Sequence, residues 1–95
     1  MPRLPTRDLY RITAHAKSEM ARRGISESQV VAVLSNPGQT LPVREGRQVL
    51  QSRLALREGG KQGLLRVFVD IGPDLGDVVT VYWTSKITKY WRVGK

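Results

Sequence analysis

Three segments of the chain follow a period of two, with large apolar side chains at alternate positions, and glycine-rich turns separate them. The first contains Leu50, Leu54 and Leu56, the second reads LLRVFVDI from residue 64, and the third reads VVTVYW from residue 78. Such alternation is typical of β-strands, because successive side chains point to opposite faces of a sheet. The turns REGGKQG and GPDLG are short, so the segments are predicted to pair as an antiparallel meander. Weaker strands are predicted at Thr40–Arg44 and Ile87–Val93.

The residues before these strands carry the start and stop signals of two short helices. Thr13 is a good N-cap for a first helix over Ala14–Arg23, and Gly24 suits the left-handed residue that ends it. Ser26 then caps a second helix, and Gln29 at its third position completes a capping box. The predicted fold class is therefore α+β, with two N-terminal helices packed on a twisted antiparallel sheet of three to five strands.

The length of 95 residues predicts a single domain over residues 1–95. Residues 1–9 contain two prolines and few apolar residues, so they are predicted to form a loose arm. The chain has no cysteine, which excludes disulfides and thiolate metal sites and suits a cytoplasmic protein. No run of 18 apolar residues is present and the N-terminus lacks the apolar core of a signal peptide, so neither a membrane span nor export is expected.

The net charge of +8 is concentrated at the two ends of the chain. Residues 1–25 carry six Lys or Arg and two acids, residues 26–85 carry six of each, and residues 86–95 carry four cations and no acid. If the fold brings the ends together, they form one basic face suited to a polyanion such as RNA. The alternative is a basic protein without such a partner. The cations predicted to hold an RNA backbone are Arg22, Arg23, Lys86, Lys89 and Arg92.

The sequence gives no indication of a metal site or a bound cofactor. His15 is the single histidine, the acids lack metal-ligand spacing, and no glycine-rich nucleotide-binding loop precedes a helix. Metal-free acid–base chemistry remains open. RNA can be cleaved without a metal if its 2′-hydroxyl is the nucleophile, provided that a base, a phosphate-binding cation and a proton donor are present.

His15 is the first candidate for the base. It falls at the second position of the predicted first helix, where the helix dipole disfavours the protonated ring. A neutral imidazole near pH 7 is what a general base requires. Glu19, one turn further on, favours the protonated ring instead. The alternative is an exposed histidine that makes only a local hydrogen bond.

Arg66 is the second candidate, because it interrupts an otherwise apolar strand. If Leu65 and Val67 face the helices, Arg66 faces the opposite side of the sheet, and Thr80 and Tyr82 occupy the matching phase of the next strand. Guanidinium, hydroxyl and aromatic groups on one face could clamp a phosphate and stack a base. The alternative is a solvated sheet face. Alternation separates Arg66 from the helices, so a cleft shared with His15 requires strong twist or an edge position.

The stretches AHAKSEMARRGISESQVVAVLSNP, LLRVFVDI and VVTVYWT resemble an uncharacterised bacterial family, a domain of unknown function, over about Ile12 to Thr84. Its pattern has a histidine–alanine helix start, an R-G-I joint, an L-R-V strand and a V-T-V-Y strand. The layout is similar to the barnase–EndoU–colicin–RelE group of toxin ribonucleases, which includes RelE/ParE-like proteins. The resemblance implies a metal-independent endoribonuclease held by an acidic antitoxin or immunity protein. His15, Arg66 and Thr80 fall on matching motif positions.

Two functions are therefore expected from the sequence. The first is a toxin-like, metal-independent endoribonuclease, with His15 as general base or acid, Arg66 stabilising the charged phosphorane, and Thr80 and Tyr82 as hydrogen-bond partners. The second is a non-catalytic basic module that binds nucleic acid or a protein target such as gyrase or the ribosome. A third, a small regulator whose sheet edge pairs with another chain, also stays open.

Overall fold

The computed structural model describes residues 10–72 and 75–93, so the predicted loose arm at residues 1–9 lies outside the described residues. The elements are β1 Tyr10–Ile12, α1 Ala14–Arg23, α2 Glu27–Ser35, β2 Gln39–Arg44, β3 Arg47–Ala55, β4 Gln62–Ile71, β5 Gly76–Thr84 and α3 Ile87–Tyr90. One sheet contains the strands in the order β1-β5-β4-β3-β2. Strands β2 to β5 pair antiparallel, and β1 pairs parallel to β5. The predicted α+β class is confirmed, with a mixed sheet because of β1.

The helix boundaries follow the capping signals in the sequence. The Thr13 hydroxyl accepts a hydrogen bond from the backbone N–H of Ala16, and Gly24 ends α1 with a φ of 71°. Ser26 and Gln29 form both hydrogen bonds of a capping box at the start of α2. Each cap satisfies backbone donors that a helix leaves open, which is worth about 1 kcal/mol. Local residues therefore determine where both helices begin.

The two helices pack on one face of the sheet and form the main core. Ala16 and Met20 of α1 are buried there with apolar residues of α2 and of the central strands. The strand contribution consists of Leu50, Leu65, Val67, Val69, Val78 and Val81. Full burial of one such aliphatic side chain stabilises a fold by about 1.5–3 kcal/mol. We call the other side of the sheet the open face.

A β-bulge changes the alternation in β5. Phe68 pairs with Thr80 while Val69 pairs with Val78, so Val79 is an extra residue in that strand. Simple alternation predicts Val79 on the helix-covered face with Val81, but the structure buries Val78 there instead. One extra residue shifts every side chain before it to the other face.

The predicted strand at Ile87–Val93 is wrong, because the chain forms the one-turn helix α3 and then crosses the open face. We call residues 86–93 the C-terminal segment. The carbonyl oxygen of Tyr90 accepts a 3.1 Å hydrogen bond from Nε2 of Gln51 in β3. Trp91 lies against Gly38, where an added Cβ would be 2.8 Å from its ring. These contacts hold the segment over the sheet and take the place of strand pairing.

Candidate anion-binding site

Four side chains form a row across the open face, perpendicular to the strands. The sheet register pairs Gln39 of β2 with Gln51 of β3, Gln51 with Arg66 of β4, and Arg66 with Tyr82 of β5. Gln51 Nε2 donates to Gln39 Oε1 at 2.8 Å, and Arg66 Nε donates to Gln51 Oε1 at 2.8 Å. Arg66 Nη1 donates to the Tyr82 hydroxyl at 2.6 Å. We call these four residues the polar row.

Arg66 is a buried cation whose neighbours are neutral. Its residue surface is 9% exposed, and none of the ion pairs within residues 10–72 and 75–93 includes it. Its guanidinium carbon lies 4.2 Å from the ring centre of Tyr90, 5.3 Å from that of Phe68 and 5.6 Å from that of Tyr82. Buried charges in proteins are ordinarily paired with an opposite charge. Aromatic faces compensate part of this charge, and an anion would compensate the rest.

A hollow of about 380 Å³ opens beside Arg66. Its lining residues are Leu41, Pro42, Val43, Val49, Arg66, Phe68, Lys89, Tyr90 and Arg92. Three of them are cations and none is an acid, while the wall from β2 is apolar. We call this hollow the basic groove. Its chemistry fits a ligand that combines an anionic group with a flat or apolar part.

Tyr90 is the groove residue whose proton equilibrium is changed. A hydrogen bond with Tyr82 is the main cause that lowers the pKa of Tyr90, and the charges of Lys89 and Arg66 lower it further. The rings of Tyr82 and Tyr90 meet edge to face with their centres 6.4 Å apart. A phenol with a lowered pKa beside a guanidinium is a group that can exchange a proton with a bound ligand.

Several of the residues selected from the sequence come together at this site. Arg66 and Tyr82 are hydrogen-bonded, as their shared strand phase indicates, and Lys89 and Arg92 line the basic groove. Thr80 is half-buried and pairs with Phe68 across the strands of the open face. Lys86 is exposed at the start of α3 and does not line the groove.

His15 lies elsewhere. It is exposed on the first turn of α1, a helix that packs through Ala16 and Met20 on the face opposite Arg66. It is not a lining residue of the basic groove, and it makes no hydrogen bond or ion pair to any residue that the structure describes. The structure therefore does not bring His15 and Arg66 into one cleft, and a catalytic role for His15 stays a prediction from the sequence.

Arg22 and Arg23 also lie in the helix layer. Both donate to the same oxygen of Glu19, at 2.5 Å and 2.8 Å. Hydrogen bonds from Arg22 and Arg23 lower the pKa of Glu19 to about 2, so the carboxylate stays charged and compensates part of the positive charge. The five cations predicted to hold RNA thus divide into a pair on α1 and a group in the C-terminal segment.

The site residues predicted from the sequence did not include Gln39, Gln51 or Tyr90. Gln51 is fully buried, which is unusual for a glutamine, but its position in the row depends on the strand register. Tyr90 stood in a segment that was predicted as a strand. Pairing β3 with β4 in the correct register would identify Gln51 as the neighbour of Arg66. The position of Tyr90 depends on the path of the C-terminal segment, which the sequence does not indicate.

No group of three or more His, Cys, Asp or Glu that could hold a metal occurs in the described ranges. Among the helices of the part that the structure covers, none has the length and apolar content needed to cross a bilayer.

A family model described as a domain of unknown function, DUF4258, matches residues 12–83. This range contains all four members of the polar row, whereas Lys89, Tyr90 and Arg92 follow it. No curated protein and no solved structure matches the chain.

Proposed function

Because the chain belongs to the DUF4258 family, whose description assigns no activity, we propose a function from the groove itself: binding and metal-independent cleavage of RNA, as in a toxin-like endoribonuclease. The observation that carries the proposal is Arg66, a residue only 9% exposed whose guanidinium has no acidic partner among the described residues. The proposed cellular location is the cytoplasm, where RNA is available.

The free donors of Arg66 support a phosphate as its ligand. A guanidinium has five N–H groups, and the polar row uses Nε and one donor of Nη1. Nη2 makes no hydrogen bond to a described residue, and no fully buried polar side-chain atom within that part of the chain lacks a partner. Nη2 therefore reaches solvent at the groove. A planar fork with free donors is the preferred ligand of phosphate oxygens.

The walls of the basic groove support a nucleotide over a small inorganic anion. Lys89 and Arg92 add two cations on one side, where successive phosphates of a strand would lie. Leu41, Pro42 and Val43 form an apolar wall on the other side, against which a base can pack. The rings of Phe68 and Tyr90 also line the groove, and stacking of one base on an aromatic ring contributes about 1–3 kcal/mol in single-strand binding proteins.

Metal-free cleavage in the groove would use Arg66 as the phosphate-binding cation and Tyr90 as a proton-transfer group. The ribose 2′-hydroxyl gives its proton to a base and attacks the neighbouring phosphorus, which leaves a 2′,3′-cyclic phosphate and a 5′-hydroxyl that takes up a proton. Arg66 would neutralise the charged phosphorane. Tyr90, with its lowered pKa, would move the proton, and Tyr82 accepts a hydrogen bond from Nη1 of Arg66. In this proposal Tyr90 takes the role that the sequence suggested for His15.

A non-catalytic module that binds nucleic acid is the second candidate. The observation that favours it is that the single histidine does not line the groove, which leaves Lys89 and Tyr90 as proton-transfer groups among its described lining residues. An acidic antitoxin or immunity protein would compete for the groove under either function, because a carboxylate is also a ligand for Arg66.

The test uses a fluorescent single-stranded RNA in buffer with EDTA. We expect the wild type to bind it and to release fragments that end in a 2′,3′-cyclic phosphate. Arg66→Gln should weaken binding about 10- to 100-fold, the value of a charge-assisted hydrogen bond. Arg57→Gln is the matched control, because it removes one exposed cation outside the groove. Absence of binding by the wild type contradicts the proposal, and binding without fragments leaves the non-catalytic module.

A further inference from the structure

We propose that Gln51 is a positioning residue of the anion site: it orients Arg66 and, as a neutral amide, leaves the charge of Arg66 available to the ligand. This inference rests on the proposed function. It concerns a residue that does not line the basic groove and acts through Arg66.

The contacts of Gln51 determine the orientation of its amide. Arg66 can only donate, so it must face Oε1, and the carbonyl oxygen of Tyr90 can only accept, so it must face the NH₂ group. The second amide hydrogen is donated to Gln39. Since Gln51 is fully buried and each of its polar atoms is bonded, the amide has one stable arrangement.

The same amide also holds the C-terminal segment, which forms the cationic side of the groove. Gln51 holds the backbone of Tyr90, and Gln39 accepts from the backbone N–H of Arg92 at 3.0 Å. Gln39 Nε2 in turn donates to the carbonyl oxygen of Arg92. One chain of hydrogen bonds through Gln51 and Gln39 therefore joins Arg66 on β4 to Tyr90 and Arg92 in the C-terminal segment.

The neutrality of Gln51 has a separate consequence. Glutamate has the same length, and at this position its carboxylate would lie at hydrogen-bond distance from Nε of Arg66. That pair would satisfy the buried cation internally, as Asp70 does for Arg47 on the same two strands. An amide gives the orienting bond without the counter-charge. The ligand is then left to supply the negative charge.

The experiment compares Gln51→Glu and Gln51→Met with the wild type in binding to the single-stranded RNA at several salt concentrations. Both variants lose the bond to Tyr90, but Gln51→Glu keeps an acceptor for Nε of Arg66. Weaker binding by Gln51→Glu than by Gln51→Met therefore reports the added charge and not a loss of orientation. Gln51→Met should weaken binding about tenfold through loss of orientation. Gln51→Glu should weaken it at least about tenfold more, and its slope of log affinity against log salt should fall by about 0.7, the value of one phosphate contact.

Gln62→Glu is the matched control, because it adds the same charge on the exposed start of β4. It is four residues from Arg66, or about 13 Å along a strand, which exceeds the screening length of about 8 Å at physiological salt. Its affinity should stay within about twofold of the wild type.

The outcomes separate the two proposals. Equal affinities and salt slopes for Gln51→Glu and Gln51→Met overturn the role of neutrality. Wild-type affinity in Gln51→Met overturns the orienting role. The proposed function stands in both cases. If Gln51→Glu does not fold, Gln51→Met still decides the orienting role. Failure of the wild type to bind RNA overturns the proposed function, and the role of Gln51 with it.

Discussion

The guanidinium of Arg66 donates from Nε to the side-chain oxygen of Gln51 at 2.8 Å, so its partner across β3 and β4 is a neutral amide. A few residues along the same strand pair, Arg47 faces Asp70 and forms an ion pair. The two arginines differ in how their charge is compensated on this sheet: one has an acidic partner and the other has neutral partners. Arg47 has an acid and needs no ligand, whereas Arg66 has none among the described residues and lies beside a groove.

Inorganic phosphate should stabilise the protein through Arg66. A ligand that binds only the folded state raises stability by RT ln(1 + [L]/Kd), which is about 2.7 kcal/mol at 100 times Kd. We expect the Tm of the wild type to rise with phosphate concentration at constant ionic strength, and the Tm of Arg66→Gln to rise much less. Thermal unfolding followed by circular dichroism measures both. Equal shifts in the two proteins would show that phosphate binds elsewhere.

Tyr90 should ionise at a lower pH than an ordinary tyrosine. Its pKa is lowered by the hydrogen bond with Tyr82 and by the charges of Lys89 and Arg66. The folded state then binds fewer protons than the unfolded state between this lowered pKa and about 10, so stability rises with pH in that window and the contribution is lost as pH falls through the folded pKa. Absorbance at the phenolate band in wild type minus Tyr90→Phe reports the titration. Lys89→Gln should raise the pKa of Tyr90, because it removes one of the charges that lower this pKa.

His15→Ala should leave the rate of RNA cleavage nearly unchanged, whereas Tyr90→Phe should lower it strongly. His15 is exposed on the helix-covered side of the sheet, so its removal should leave the cleavage rate within about twofold. Tyr90 lines the groove, so loss of its hydroxyl should lower the rate about 100-fold or more, as for a general acid–base group, with RNA affinity retained. Single-turnover assays measure both rates. A large loss in His15→Ala with an intact fold would support the role derived from the sequence.

Gly38→Ala should displace the C-terminal segment. A Cβ at residue 38 would lie 2.8 Å from the ring of Trp91 and 3.2 Å from the backbone oxygen of Gln51. Overpacking of this kind costs about 1–3 kcal/mol, and the ring is the part that can move. We expect weaker RNA binding together with faster tryptic cleavage after Lys89. Unchanged proteolysis and affinity would mean that the segment is held by other contacts.

Local signals predicted much of the fold. The caps at Thr13 and Ser26 involve bonds to residues three positions away, and the αL turn at Gly24 closes α1. Such interactions are complete within a few residues of sequence. The shared phase of Arg66 and Tyr82 was also predicted and is confirmed by their hydrogen bond, because neighbouring antiparallel strands place matching residues side by side.

Non-local contacts decided the rest. The extra residue at Val79 depends on how β5 pairs with β4, and no residue type in that strand marks it. The helix α3 stands where a strand was predicted, and the backbone of its last residue, Tyr90, is held by Gln51, nearly forty residues earlier. The separation of His15 from Arg66 depends on which face the helices cover.

The sequence by itself determined the two capped helices, the alternating strands and the placement of Arg66 with Tyr82 on one face, since each follows from residues that are neighbours along the chain or in phase on adjacent strands. Only the tertiary structure decided that Gln51 is the partner of Arg66 and that Tyr90 covers it. Those contacts join β3, β4 and the C-terminal segment, and their free energy exists only once the sheet has its register and the segment has crossed it.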